Sequence, residues 1–156
     1  MPLIRILAVS DSHGDRRTLS RILERHRDAN AVLHLGDGYA DVVALQEEFS
    51  VLAVAGNCDG FSCDAPPERE LVIGGKRIFA VHGHRFEVKH SLLRLSLAAR
   101  ARQADIALFG HTHQPFLEQA DGVYLVNPGS VRDGGRYALI DIQDGAVFPH
   151  LERAGY

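Results

Sequence analysis

The sequence predicts an α/β fold held in one domain, residues 1–156, with an alternating first half and a strand-rich second half. Three observations lead there. Over the first 60 residues an apolar β-rich run, a small polar loop and a helical stretch recur three times, less the last helix. That order implies parallel βαβ units. Farther on, apolar runs flank Gly74-Gly75, Asp121-Gly122 and Asp144-Gly145, which read as hairpin turns. Apolar residues also make up 46% of the chain against 24% charged, enough to build a core without disulfide staples.

Residues 3–9 (LIRILAV) form a buried strand, ended by Ser10-Asp11-Ser12-His13-Gly14. Residues 15–28 place Leu19, Ile22 and Leu23 at helical spacing. A short strand at 31–35 stops at Gly36-Asp37-Gly38, and 41–48 repeats the helix pattern through Val42, Val43 and Leu45. The third strand, 50–55, ends at Gly56-Asn57-Cys58-Asp59-Gly60. Residues 61–67 are a loop, because Pro66-Pro67 forbids regular structure. A hairpin of 70–73 and 76–81 ends at His82-Gly83-His84, and a helix is expected over 89–102. A strand at 105–109 runs into Gly110-His111-Thr112-His113-Gln114-Pro115. Two hairpins follow, 116–119 with 123–126 and 136–142 with 146–151.

Composition removes several functions. A net charge of −3 leaves no electrostatic footprint for duplex nucleic acid. The longest apolar runs are strand-length, far short of a membrane span, and the first residues enter a strand pattern without a signal peptide. Cys58 and Cys63 sit too close to suit a disulfide, so a reducing cytoplasm is the expected location. Two counts stand out: nine histidines and no tryptophan. Excess histidine points to metal binding or proton transfer unless it is surface scatter.

Position separates those alternatives. Asp11 and His13 follow the first strand, Asp37 the second, and Asn57 and Asp59 the third. His82 and His84 follow the hairpin, and His111 and His113 the next strand. In a parallel-type sheet these carboxyl ends line one edge, where ligand sites form. Imidazole, carboxylate and amide donors suit Mn, Fe, Ni, Co or Zn. The set exceeds the needs of one ion, and Asp37, alone between two glycines, suits a bridge between two. Two such ions favour a phosphate-like anion and an in-line displacement, so the residues point to two-metal hydrolysis of a phosphate ester.

The ordered blocks Asp11-x-His13, Gly36-Asp37, Gly56-Asn57, His82-Gly83 and Gly110-His111-Thr112-His113 resemble the calcineurin-like metallophosphoesterases. The resemblance continues through Asn127-Pro128-Gly129-Ser130, and the short chain is most similar to the small prokaryotic phosphodiesterase branch. It implies a four-layer α/β/β/α sandwich, with two mixed sheets face to face and the metal site at the strand carboxyl ends. It also implies two divalent transition-metal ions, manganese foremost. Asp11, His13 and His113 would bind one; Asn57, His82 and His111 would bind the other; Asp37 would bridge. The family's usual nucleophile is a metal-bound hydroxide, and Asn57 would also touch a phosphoryl oxygen.

One position departs from the larger relatives. Where they carry the histidine taken as the leaving-group acid, this chain has Cys58. A thiol, with a pKa near ~8.5, is a poorer acid at neutral pH than imidazolium. Cys58 or His84 is the candidate acid, with His84 equally readable as a substrate contact or a hydrogen-bonding support. Asp59 is read as orienting a neighbour, His34 as packed near the site, and His26, His90 and His150 as solvent-facing. Asn127 and Ser130 either support the site or only form their turn. Arg16, Arg17, Arg85 and Arg132 lie near strand ends and could help bind phosphate.

The expected function is therefore hydrolysis of a small phosphate ester, with no membrane partner and self-association left open. Two other classes compete. The same fold serves as a protein-binding scaffold in a eukaryotic retromer subunit with degraded metal ligands, whereas all seven ligand positions match here. A nuclease is disfavoured by the acidic pI and the lack of a basic patch interleaved with aromatics.

Overall fold

A computed structural model describes residues 2–155 and shows ten strands and three helices. In chain order these are β1 (Ile4–Val9), α1 (Arg16–Arg25), β2 (Ala31–His34), α2 (Tyr39–Leu45), β3 (Leu52–Ala53), β4 (Glu68–Ile73) and β5 (Lys76–Val81). A single 3-10 turn at His84–Phe86 precedes α3 (Leu93–Ala101), β6 (Ile106–Leu108), β7 (Phe116–Ala120), β8 (Val123–Asn127), β9 (Arg136–Gln143) and β10 (Ala146–Arg153). One five-stranded sheet has the order β10-β9-β1-β2-β3 and the other β4-β5-β6-β8-β7. Both are mixed. β1, β2 and β3 run parallel, as the βαβ pattern requires, with β9 antiparallel to β1. β5, β6 and β8 are parallel, with hairpin partners β4 and β7 at the edges.

The period of two along each strand builds the layers. Ile6 and Ala8 of β1 meet Ile78 and Ala80 of β5 between the sheets, together with Ile106, Leu108, Ala138 and Ile140. Leu7 and Val9 point the other way, onto Leu19, Ile22 and Leu23 of α1. Phe79 and Val81 pack against Leu95 and Ala99 of α3. The result is a four-layer sandwich of helix, sheet, sheet and helix. The continuous apolar runs of β1 and β5 are explained by burial on both faces.

Three elements, α1, β3 and α3, are shorter than their patterns by about four residues or more. α1 starts at Arg16 because Asp15 caps it, accepting from Thr18 N. β3 keeps only two residues, although Val54 N still donates to His34 O. α3 begins at Leu93 rather than 89, because Glu87 takes a left-handed backbone (φ 53°) and residues up to Leu92 run through turns. His26 is also not solvent-facing as expected: it is half-buried, its Nε2 3.0 Å from the Tyr137 hydroxyl.

Candidate metal centre

Every block singled out in the sequence lies just beyond the carboxyl end of a parallel strand: β1, β2 and β3 in one sheet, β5, β6 and β8 in the other. The loops there are unusually constrained. Asp11 (φ 54°), His13 (φ 42°), Asp37 (φ 59°), His111 (φ 71°) and His113 (φ 64°) all adopt left-handed backbone. Non-glycine residues rarely do so, and each instance has an energetic cost, which points to a function for the arrangement. Two glycines admit the carboxylates. A side chain at Gly56 would strike the Asp37 carboxylate, and one at Gly110 would strike Ser10 Oγ and approach Asp11 Oδ2 to 2.7 Å.

Two groups built of imidazole and carboxylate alone result. Asp11, His13 and His113 form one; Asp37, His82 and His111 form the other. In the first, Asp11 Oδ1 lies 3.4 Å from His13 Nε2 and 3.2 Å from His113 Nε2. The two imidazole nitrogens are themselves 3.2 Å apart. In the second, Asp37 Oδ2 lies 3.2 Å from His82 Nε2, and His111 Nδ1 is 3.2 Å from that same nitrogen. Asp37 Oδ2 also stands 3.7 Å from His13 Nε2, so it lies between the groups.

The surroundings fix which atoms face inward. His82 Nδ1–H donates to Leu35 O at 2.7 Å, which turns Nε2 inward. His113 Nδ1 is 2.6 Å from Asp133 Oδ2, with the same consequence. Asp11 Oδ2 accepts from Ser10 Oγ (2.6 Å) and His111 N (3.1 Å), while its Oδ1 is buried without a partner. Asp37 Oδ1 accepts from Cys58 N at 2.8 Å. Burial opposes charge on Asp37, but the hydrogen bond and charge of His82 outweigh it and hold the carboxyl well below its usual range. Burial likewise opposes charge on His82, and its bond to Asp37 and the Asp11 charge reverse that, raising it. Burial and the His82 charge push His111 down to about 4.

Asp59 braces the loops: its carboxylate accepts from the backbone N–H groups of Asp37, Gly38, Tyr39 and Gly56 at 2.7–2.9 Å. This orients Asp37, the role expected for it. His34 is buried and packed, as expected, and burial pushes it down to about 4. It accepts from Gly36 N at Nδ1 and so donates at Nε2 to Ser12 Oγ, which donates to Asp41. Asn127 donates to Gly110 O and Thr112 Oγ1, and Ser130 Oγ donates to Asp11 O, so both support the site. Arg16 pairs with Asp41 and Arg132 with Asp133.

Asn57 and Cys58 stand exposed at the rim, Asn57 Nδ2 3.6 Å from Cys58 Sγ. The thiol forms a further donor group with His13 and Asp37. Burial, then the Asp37 charge, push its pKa up, so it keeps its proton at neutral pH. His84 is half-buried, its ring 5.4 Å from that of His82, and its Nδ1 is buried without a partner. Burial and the His82 charge push it down, so it is neutral near pH 7. Sequence reasoning missed Asp133, Ser12 and Asp41. Asp133 lies 20 positions from His113 on another loop, and no motif joins them; Ser12, inside the first block, was the one visible cue.

An unpartnered buried carboxylate oxygen facing imidazole nitrogens fits a divalent cation, as does a donor set dominated by imidazole and carboxylate. Comparison with known proteins agrees. The sequence model of the calcineurin-like phosphoesterase superfamily domain matches residues 4–145. The chain belongs to that superfamily. It is 34% identical over 161 residues to the probable metallophosphoesterase YsnB of Bacillus subtilis, covering 97% of this chain and 93% of that one. It is 28% identical over 173 residues to the phosphodiesterase YfcE of Escherichia coli, covering 93% and 90%. Among solved structures, a predicted phosphoesterase from Streptococcus pneumoniae superposes with a TM-score of 0.85 at 27% identity, covering 98% of this chain and 91% of that one. Vacuolar protein sorting 29 from Cryptosporidium parvum shares the fold, with a TM-score of 0.75 at 19% identity and 99% coverage of both chains. No helix among the described residues is long and apolar enough to cross a membrane.

Proposed function

We propose that this superfamily member is a phosphodiesterase that works with two divalent transition-metal ions on a small phosphate ester. Asp11, His13 and His113 would hold one ion and Asn57, His82 and His111 the other, with Asp37 within reach of both donor groups. The observation that carries this reading is the placement of Asp37 Oδ2, 3.7 Å from a nitrogen of one donor group and 3.2 Å from a nitrogen of the other. When bound, two such ions would lower the pKa of a water held there and offset the negative charge of a phosphoryl group.

The chain's own residues supply the rest. The Asn57 amide, exposed at the rim, donates to a phosphoryl oxygen. Cys58 holds its proton beside Asp37 and His13 and is the acid for the leaving group. His84, half-buried with its ring 5.4 Å from that of His82, contacts the substrate. Manganese suits the imidazole and carboxylate donors, and two free cysteines fit a reducing cytoplasm.

Hydrolysis of bis(4-nitrophenyl) phosphate by purified protein tests this. Activity should require added Mn, vanish with a chelator, and fall by about 100-fold or more in Asp37→Asn, the scale of losing a charged metal-site group. Metal-replete protein without turnover on any ester would favour the scaffold reading instead. On a diester with a poor leaving group, Cys58→Ala should lower kcat by at least about tenfold; an unchanged rate would remove Cys58 from the acid role.

A further inference from the structure

Beside the metal centre lies an open groove of about 520 Å³, walled by Val88, Leu92, Phe109, Pro115 and Phe116 with Lys89 at its margin. Phe109 and Phe116 are set at 57° with ring centroids 6.2 Å apart, and Phe109, almost wholly buried, forms the floor. One loop serves both places: residues 110–115 carry His111 and His113 of the site and Thr112, Gln114 and Pro115 of the groove wall. The Lys89 ammonium bears electrostatically on His111, and no acidic residue lines the groove. Its charge therefore complements a phosphate ester. Its apolar faces match a flat ring, which stacks or packs edge-on against phenylalanine and proline. Its volume falls within that of small-molecule sites, roughly 300–1,000 Å³.

We infer that this groove receives a planar aromatic group esterified to the substrate phosphate, with Phe116 and Leu92 setting that preference. The inference rests on the phosphodiesterase reading and narrows its substrate to aromatic or nucleoside-type esters. Lys89 steers the anionic end toward the histidines while the ring displaces water from the apolar wall.

Phosphonates, which carry the ring but are not hydrolysed, measure this without depending on which ester bond breaks. Binding of methyl-, phenyl-, 4-biphenyl- and octylphosphonate to Mn-loaded protein would be followed by calorimetry, with orthophosphate as competitor. Affinity should rise at least about tenfold from methyl to the better aryl ligand, the scale of burying one ring. Phe116→Ala and Leu92→Ser should each compress that ratio toward one while circular dichroism remains native. Equal affinities, a ratio that survives both substitutions, or an octyl chain that binds as well as the aryl group would overturn the inference. No diester hydrolysis by the loaded protein would overturn the underlying reading instead, whatever the phosphonates do.

Discussion

Asp133 holds His113 through a 2.6 Å contact, and that carboxylate is exposed at the surface. The hydrogen bond from His113, then that from Arg132, keep the Asp133 carboxyl below its usual range. Removing the charge should leave the fold intact and weaken the ligand. Asp133→Asn is expected to lower Mn affinity by about 10- to 100-fold with little change in the melting temperature of metal-free protein, and Asp133→Glu should restore part of the loss. Chelator competition checks this, and unchanged affinity in Asp133→Asn would deny the role. The contrast with the ligand candidates shows what is legible at this scale. Asp11, Asp37, His82 and His111 announce themselves because strand ends are visible in a linear pattern, and a glycine adjoins each of them but Asp11. Asp133 and Asp41 act across loops distant in sequence, and a lone aspartate after a turn looks the same whether or not a histidine reaches it.

Between elements, Arg5 of β1 and Asp141 of β9 face each other in register and form two hydrogen bonds, at 2.7 and 2.8 Å. The Arg5 bond holds the Asp141 carboxyl below its ordinary value. A depressed carboxyl stabilises the fold above the unfolded pKa, and that stabilisation is lost as pH falls through the folded value. Asp141→Asn should therefore cost about 1–2 kcal/mol at pH 7, and the cost should fade as pH falls below the ordinary aspartate value of about 3.9 and through the lower folded one. Urea titrations across pH read this directly; a pH-independent cost would contradict it. The elements themselves were largely legible, because period-two and helical spacing distinguish β1, β5 and α1 without tertiary information. Boundaries were not: a left-handed Glu87 shortened α3, and no residue type at that position demands it. The pairing of β1 with β9, which closes the sheet, was likewise invisible, since register between distant strands leaves no local mark.

In the whole molecule, two sheets packed on a shared apolar layer bring their parallel-strand ends to one edge, so the loops after β1, β2, β5 and β6 bring together two carboxylates and four imidazoles. The α/β class and the histidine excess were both readable in the chain, but the four-layer arrangement came only from motif resemblance, because hydrophobic period alone does not say which sheet faces which. The excess itself divides on the fold: four histidines line the centre, two lie packed beside it, and His26, His90 and His150 sit elsewhere. Whether Asp37 joins a pair of ions is decided by electron paramagnetic resonance of Mn-titrated protein. Two Mn per chain with an exchange-coupled spectrum, lost in Asp37→Ala, is the expected result; one Mn per chain, or the six-line spectrum of isolated ions at saturation, would contradict it.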